Sequence, residues 1–259
     1  MRGNNERVVV LQPRDRQLLE ELMVMRVIDR EQAKAVGGFG STTRANTRLL
    51  SLTESGFLKR NFVGTISGGR KAVYRLSRKG IAIGSGANDG GYDNAVKGSY
   101  SELFLEHQLH INQVYVSVKH WPVPIAGCRF HRWISFTRVL SKVSPIIPDG
   151  YFELQHESAM KAVFLEVDMG TESLRIWQKK IEGYLRFAVA GEFKKLFGLD
   201  QFKVIIIAHS DRRAESIRKL AGKFTDKIFR FTSFPTINSE GFWSAIWKKP
   251  AGDQKEGLV

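Results

Sequence analysis

The sequence has 259 residues, of which 40 are Lys or Arg and 26 are Asp or Glu, so its formal net charge is +14. At roughly 100 to 200 residues per domain this length predicts two domains, and a hydrophobic content of 42% excludes a disordered basic tail. The single cysteine, Cys128, excludes a disulfide framework within the chain, and no apolar run approaches the roughly 18 residues of a membrane-spanning helix. We expect a cytoplasmic protein that binds acidic partners and no membrane.

A glycine-rich segment divides the chain. Residues 84–98 contain five glycines and almost no apolar side chains, a composition typical of a flexible linker. Residues 1–83 hold 16 Lys or Arg against 7 Asp or Glu, so the basic excess is concentrated before this linker. The sequence therefore predicts a basic N-terminal domain over residues 1–83 and a larger domain over residues 99–259.

The first two helices of the N-terminal domain have clear start signals. Pro13 begins a helix whose leucines recur at helical spacing as far as Met25. Asp29, with Gln32 three residues later, predicts a capping box for a short second helix that ends at Val36.

A third helix follows, capped by Thr42 or Thr43 and ending at Gly56. Its periodicity separates an apolar face from a polar one. The apolar face holds Ala45, Leu49 and Leu52, and the polar face holds Arg44, Thr47, Arg48 and Ser51.

A basic β-hairpin is predicted after Gly56, with strands over residues 57–63 and 71–77 and a turn around Gly68 and Gly69. Three helices followed by a basic hairpin resemble the winged helix-turn-helix class. This resemblance implies duplex DNA as the partner, with the third helix in the major groove and the hairpin cations on phosphates. The predicted groove residues are Arg44, Thr47 and Arg48, with Arg48 as the main base reader, and the predicted phosphate contacts are Lys59, Arg60, Arg70 and Lys71. The alternative is that these cations only solvate an exposed surface.

The C-terminal domain is predicted to be α/β, in a chain that is α+β overall, with one mixed sheet flanked by helices. Thr171 is its clearest predicted helix cap, and residues 202–208 are apolar enough for a central strand. The predicted elements are a helix over 99–119, strands over about 127–134, 150–155 and 161–168, a helix over 171–190, a strand over 202–208, a helix over 211–223 and a strand over 228–234.

Three carboxylates are expected to converge on this sheet. Asp149 precedes one strand, and Glu166 and Asp168 end the next strand on one of its faces. Oxygen ligands of this kind suit Mg²⁺ or Mn²⁺. The pattern resembles the PD-(D/E)XK nuclease-like superfamily, which implies that the carboxylates hold the metal and that a lysine positions the attacking water.

The sequence departs from that motif, because Asp168 occupies the position of the lysine. Lys180, on the following helix, is the candidate replacement, and Lys180 with Tyr184 four residues later looks like the Gln-x-x-x-Tyr motif of some RecB-like nucleases. The resemblance thus implies Asp149, Glu166 and Lys180 as catalytic residues and Asp149, Glu166 and Asp168 as metal ligands.

More narrowly, the sequence is similar to the replication-relaxation protein family of plasmids and mobile elements, over about residues 13 to 225. The runs that carry the similarity are Pro148-Asp149-Gly150-Tyr151-Phe152, Glu166-Val167-Asp168-x-Gly170-Thr171-Glu172 and Lys180-x-x-x-Tyr184. The similarity implies a DNA-binding protein of an extrachromosomal element and does not establish a catalytic step.

Two hypotheses remain open. In the first, the chain is a DNA-binding replication or regulatory factor, and Glu166 or Asp168 only caps the following turn or pairs with Lys179, Lys180 or Arg175. In the second, it is an Mg²⁺- or Mn²⁺-dependent endonuclease targeted by its winged helix. A second copy of the chain and replication or mobilisation proteins are further candidate partners. The sequence has no Gly-x-x-x-x-Gly-Lys-[Ser/Thr] loop and no Gly-x-Ser-x-Gly element, which disfavours an NTP-driven motor and a serine hydrolase.

Overall fold

The structure is a computed structural model that describes residues 9–65, 68–85 and 100–259. The chain divides into two compact units, Met1–Val116 and Ser117–Val259, called here the first and the second unit. The predicted linker, residues 84–98, lies outside the described residues except for its first two. The division into domains at that linker stays a prediction.

The first unit begins with two helices, α1 (Pro13–Met25) and α2 (Arg30–Val36). Both predicted helices are confirmed, and so is the capping box of α2. Asp29 Oδ1 accepts a hydrogen bond from Gln32 N at 2.9 Å, and Gln32 Oε1 accepts one from Asp29 N at 3.4 Å. The cap satisfies two amide groups that the start of a helix would leave without partners.

The third helix, α3 (Thr42–Glu54), buries the predicted apolar face, since Ala45, Leu49 and Leu52 are inaccessible to solvent. The prediction that Thr42 or Thr43 caps this helix is wrong. Ser41 is the N-cap, because its Oγ accepts a hydrogen bond from Arg44 N at 3.2 Å. Adjacent hydroxyl residues can all serve as caps, and here the helix starts one residue after Ser41.

The predicted hairpin is confirmed as β2 (Leu58–Gly64) and β3 (Arg70–Leu76), which pair antiparallel with Gly64 opposite Arg70. A two-residue strand, β1 (Ile28–Asp29), pairs with the other edge of β3 and gives the sheet order β1-β3-β2. A short helix, α4 (Arg78–Gly84), follows the hairpin.

The next helix, α5 (Glu102–Lys119), belongs to the first unit as far as Val116 and contacts the end of α1 through a buried asparagine. The chain leaves α1 at Arg26 with a positive φ of 63°, so carbonyl groups near that bend lie beyond the helical hydrogen-bond pattern. Asn112 donates to two of them, Met25 O at 3.0 Å and Val27 O at 2.5 Å. This amide therefore links α5 to the end of α1.

The second unit contains a seven-stranded mixed sheet. Its strands are β4 (Cys128–Ile134), β5 (Gly150–His156), β6 (Ala159–Asp168), β7 (Phe202–Ala208), β8 (Phe229–Ser233), β9 (Trp247–Lys248) and β10 (Lys255–Glu256). They lie in the order β10-β9-β8-β7-β6-β5-β4. The centre of the sheet, β6 to β8, is parallel, and β4 and β5 extend it in antiparallel fashion. The α/β character and the mixed sheet are thus confirmed.

Helices α6 (Leu174–Val189) and α8 (Asp211–Ala221) confirm the two predicted after β6 and β7. The N-cap of α6 is Ser173, not Thr171 as predicted, since Ser173 Oγ accepts a hydrogen bond from Ile176 N at 3.4 Å. Two short helices, α7 (Glu192–Phe197) and α9 (Phe234–Glu240), were not predicted. Among the described residues, no helix is long and apolar enough to span a membrane.

An aromatic core fixes the direction of the carboxylates on β6. The Phe164 ring lies 4.9 Å from that of Tyr151 and 5.7 Å from that of Tyr184, which belongs to α6. Residues two apart on a strand share a face. Glu166 and Asp168 therefore point to the side of the sheet on which α6 packs.

Candidate functional site

The exposed face of α3 carries the first group of predicted site residues. Arg44 and Thr47 are exposed, as predicted for groove contacts. With Arg14 and Phe39 they line a shallow cleft of about 310 Å³, in which the Arg14 guanidinium lies 5.1 Å from the centre of the Phe39 ring. Arg14 was not identified from the sequence, because it belongs to α1 and only the fold brings it beside α3.

Arg48, the predicted base reader, also lines this cleft, but its guanidinium is bound to groups of the first unit. Its Nε donates to Asp15 Oδ1 at 2.9 Å, a second guanidinium nitrogen contacts Asp15 Oδ2, and that nitrogen also donates to Val10 O at 2.8 Å. The Asp15 side chain is fully buried, whereas that of Arg48 is 19% exposed. A buried carboxylate needs a cationic partner, so the contact between Arg48 and Asp15 holds α3 against α1. Its role in reading bases stays a prediction.

The hairpin cations are displayed near one exposed aromatic ring. Lys59, Arg60 and Arg70 are exposed, and the guanidinium groups of Arg60 and Arg70 lie 5.3 and 5.8 Å from the centre of the Phe62 ring. Lys71 differs from them, since its ammonium lies 3.0 Å from Asp29 Oδ2. The pair is partly exposed and worth little to stability, so Lys71 can exchange Asp29 for a phosphate.

In the second unit the structure brings Glu166 and Lys180 together. Glu166 is fully buried on β6, and its oxygens accept hydrogen bonds from Lys180 Nζ at 2.9 Å and from Tyr184 OH at 2.6 Å. Lys180 and Tyr184 lie four residues apart and hence on one face of α6. The Glu172 carboxylate, in the turn before α6, lies 2.8 Å from the same ammonium. The lysine is therefore shared by two carboxylates.

Asp149 lies close enough to affect this cluster. It stands just before β5, and its Oδ2 accepts a hydrogen bond from Val167 N at 2.7 Å. Burial, assisted by the charge of Asp149, raises the pKa of Glu166 above its ordinary range, although Lys180 and Tyr184 act in the opposite direction. Burial alone would lower the pKa of Lys180, but the charges of Glu166, Glu172 and Asp149 raise it. Lys180 is thus held in its cationic form.

Asp168 has different partners. Arg213, on α8, contacts Asp168 Oδ2 and also the carbonyl oxygen of Glu172, while Gly170 N donates to Asp168 Oδ1 at 2.9 Å. Gly170 has a φ of +82°, and a Cβ there would lie 2.6 Å from the His209 ring, so this turn requires glycine. Asp168, in the motif position of the lysine, therefore pairs with an arginine.

The predicted ligands of Mg²⁺ or Mn²⁺ already have protein partners in this arrangement. Within the part of the chain that the structure describes, no group of three or more His, Cys, Asp or Glu side chains could hold a metal ion. Both oxygens of Glu166 and both of Asp168 accept hydrogen bonds from protein groups. The assignment of Asp149, Glu166 and Asp168 as ligands stays a prediction, and it requires two buried ion pairs to open.

The lysine within this cluster has a testable effect on stability. Lys180→Met removes the cation from a fully buried carboxylate, so we expect the free energy of unfolding to fall by about 3 kcal/mol in a urea titration. Lys179→Met removes the exposed lysine beside it and should change stability by less than about 0.5 kcal/mol. Equal stability of both variants would contradict the pairing of Lys180 with Glu166.

One comparison with known proteins identifies a family. The family model described as Replication-relaxation matches residues 19–199, which is more than half of the chain and includes α3, the hairpin and the Glu166 cluster. No curated protein and no solved structure matches the sequence. On the strength of the family match, the chain belongs to the replication-relaxation family.

Proposed function

We propose that this chain is a DNA-binding protein of a plasmid or mobile element, in which the first unit acts as a winged helix. Membership of the family gives the chain a role in replication or relaxation. The proposal adds that this role, or its regulation, depends on contact between the first unit and duplex DNA.

The observation that carries the proposal is the display of cations on two adjacent elements of the first unit. Arg44 is exposed on α3, and Lys59, Arg60 and Arg70 are exposed on the hairpin that follows it. Most of the basic excess of the sequence also lies in residues 1–83. Clustered positive charge on a folded unit favours a polyanionic partner such as nucleic acid.

The order of the elements supports a specific docking geometry. Three helices and a hairpin, with a short strand between the first two helices, are the arrangement of winged helix domains. In such domains a helix enters the major groove, which is about 12 Å wide and accommodates one α-helix. Arg44 and Thr47 would then face base edges, while the hairpin cations contact phosphates. Arg48 would orient α3 through Asp15, because releasing it leaves a buried charge without a partner.

The hairpin contribution is tested by the salt dependence of DNA binding. Each phosphate contact releases counterions, so the affinity for duplex DNA should fall linearly on a plot of log K against log salt. Lys59→Ala, Arg60→Ala and Arg70→Ala should each flatten that slope by about one, measured by fluorescence anisotropy with a labelled duplex.

The matched control is Lys195→Ala, which removes an exposed lysine from α7 in the second unit. This variant should retain the slope of the parent protein. Unchanged slopes in all three hairpin variants would show that the hairpin does not contact DNA, and no binding of any duplex at low salt would refute the proposal as a whole.

One arrangement favours a second candidate function, an endonuclease. Lys180 on α6 contacts Glu166 on the sheet face that this helix covers, and Asp149 stands just before the neighbouring strand β5. These residue types suit metal-assisted hydrolysis of a phosphodiester, in which carboxylates hold the ion and an ammonium orients water or stabilises charge. With a metal bound, Asp149 and Glu166 would be the residues to hold it.

The same contacts explain why we favour the non-catalytic role. Lys180 contacts the carboxylates of both Glu166 and Glu172, and Tyr184 OH donates a hydrogen bond to the other oxygen of Glu166. An ion at this position would have to displace these donors from a fully buried carboxylate. The cluster as it stands has the contacts of a structural ion pair.

Incubation of supercoiled plasmid with the full chain separates the two functions. We expect no nicking in Mn²⁺ above that in EDTA. Nicking that requires Mn²⁺, and that is lost in Asp149→Asn while duplex affinity is retained, would establish the endonuclease instead. Lys179→Met serves as the control for altered charge near the cluster.

A further inference from the structure

A second cleft lies in the second unit, where the parallel strands β7 and β8 begin. It encloses about 600 Å³. Its cationic lining residues are Lys203, Lys227, Arg230 and Lys249, and Ala188 and Ile228 add apolar surface. A cleft of this size, part apolar and part charged, is typical of sites for small organic ligands.

Positive charge in the cleft exceeds the negative charge available to balance it. Glu256 is shared by Arg230, which is 8% exposed, and by Lys249, whose ammonium lies 3.1 Å from Glu256 Oε2. Lys203 donates to a neutral acceptor, Leu258 O, at 2.6 Å. The four lining cations face two lining carboxylates, Asp200 and Asp226. Asp226 is exposed, and Asp200 lies 2.8 Å from Lys194, a residue outside the lining.

The electrostatics of Lys203 agree with this excess. Burial and the neighbouring Arg230 lower its pKa, although Glu256 acts in the opposite direction. Clustered, partly buried cations are costly unless anions compensate for them. Anchoring of the C-terminal residues explains the contacts of Arg230 with Glu256 and of Lys203 with Leu258. Lys227 accepts a hydrogen bond from Arg230 Nη1 at its carbonyl oxygen, at 2.6 Å, and its side chain is exposed at the cleft.

This cleft is distinct from the Glu166 cluster. In the parallel pairing of β6 with β7, Glu166 lies opposite Ile206, whereas the cleft is lined by Phe202 and Lys203 at the start of β7. Strand residues rise about 3.3 Å each, so the two sites lie at opposite ends of the sheet, of the order of 10 Å apart or more.

We propose that this cleft binds a nucleotide, either free or as part of a nucleic acid strand, with its phosphate against Lys227 and Lys249 and its base against Ala188 and Ile228. Ammonium groups form charge-assisted hydrogen bonds with phosphate, and the apolar side chains of Ala188 and Ile228 can remove the flat face of a base from water. The inference does not depend on the first unit binding duplex DNA.

The test is calorimetric titration of the full chain with deoxyadenosine monophosphate, deoxyadenosine, inorganic phosphate and a short single-stranded oligonucleotide. We expect the nucleotide to bind saturably and more tightly than either of its parts. Lys227→Ala and Lys249→Ala should each weaken binding about tenfold, the effect of losing one charge-assisted contact. Lys219→Ala, which removes an exposed lysine of α8 outside the cleft, should bind as the parent does.

Each other outcome has a defined meaning. Binding of the oligonucleotide but not of the mononucleotide, with the same sensitivity to Lys227 and Lys249, identifies a nucleic acid strand as the ligand. Deoxyadenosine binding as tightly as the nucleotide, or inorganic phosphate doing so, overturns the proposal. So does equal affinity of the parent and both cleft variants, or failure of both the mononucleotide and the oligonucleotide to bind.

Discussion

Buried carboxylates must be paired with cations, and this requirement organises both units of the chain. Asp15, Glu166 and Asp168 are almost inaccessible to solvent, and each contacts a basic side chain from a helix. An isolated ionised carboxylate in such surroundings would be prohibitively costly, so each pair restricts where its helix can lie. The contact of Asp15 with Arg48 fixes the position of α3. In the second unit, the contact of Glu166 with Lys180 fixes the position of α6, and that of Asp168 with Arg213 fixes the position of α8. The exposed face of α3 and the Glu166 cluster lie on these same elements.

Because of this pairing, some basic residues stabilise the fold, whereas others remain exposed and available for binding. Arg48 lies on the proposed DNA-facing helix, yet its guanidinium is bound to Asp15, whereas Arg44, one turn earlier, is exposed. In the second unit, Lys180 is the predicted replacement for the lysine of the nuclease motif, but it is shared by Glu166 and Glu172. A residue type and its spacing can therefore match a functional motif while the side chain serves the fold. The hairpin cations contrast with this, because Lys59, Arg60 and Arg70 remain exposed.

Most elements could be predicted from the sequence, because helical and strand periodicity are local properties. The apolar face of α3 and the Asp29–Gln32 capping box follow from neighbouring residues alone. The caps of α3 and α6 were misplaced because several hydroxyl residues stand together at each start. The partners of the site residues were harder to predict, since Arg48 and Asp15 are 33 residues apart and Arg213 and Asp168 are 45 apart. Such pairs arise from tertiary packing, which no local pattern encodes.

A direct test of the account compares Arg44→Ala with Arg48→Ala for duplex affinity and for thermal unfolding. Arg44→Ala should weaken DNA binding by about 1–3 kcal/mol and leave the melting temperature unchanged, because this arginine is exposed. Arg48→Ala should lower the melting temperature, because Asp15 is left buried without its cation. If Arg44→Ala binds duplex DNA as tightly as the parent protein, the exposed face of α3 does not contact DNA. If Arg48→Ala is as stable as the parent protein, its contact with Asp15 does not hold α3 in place.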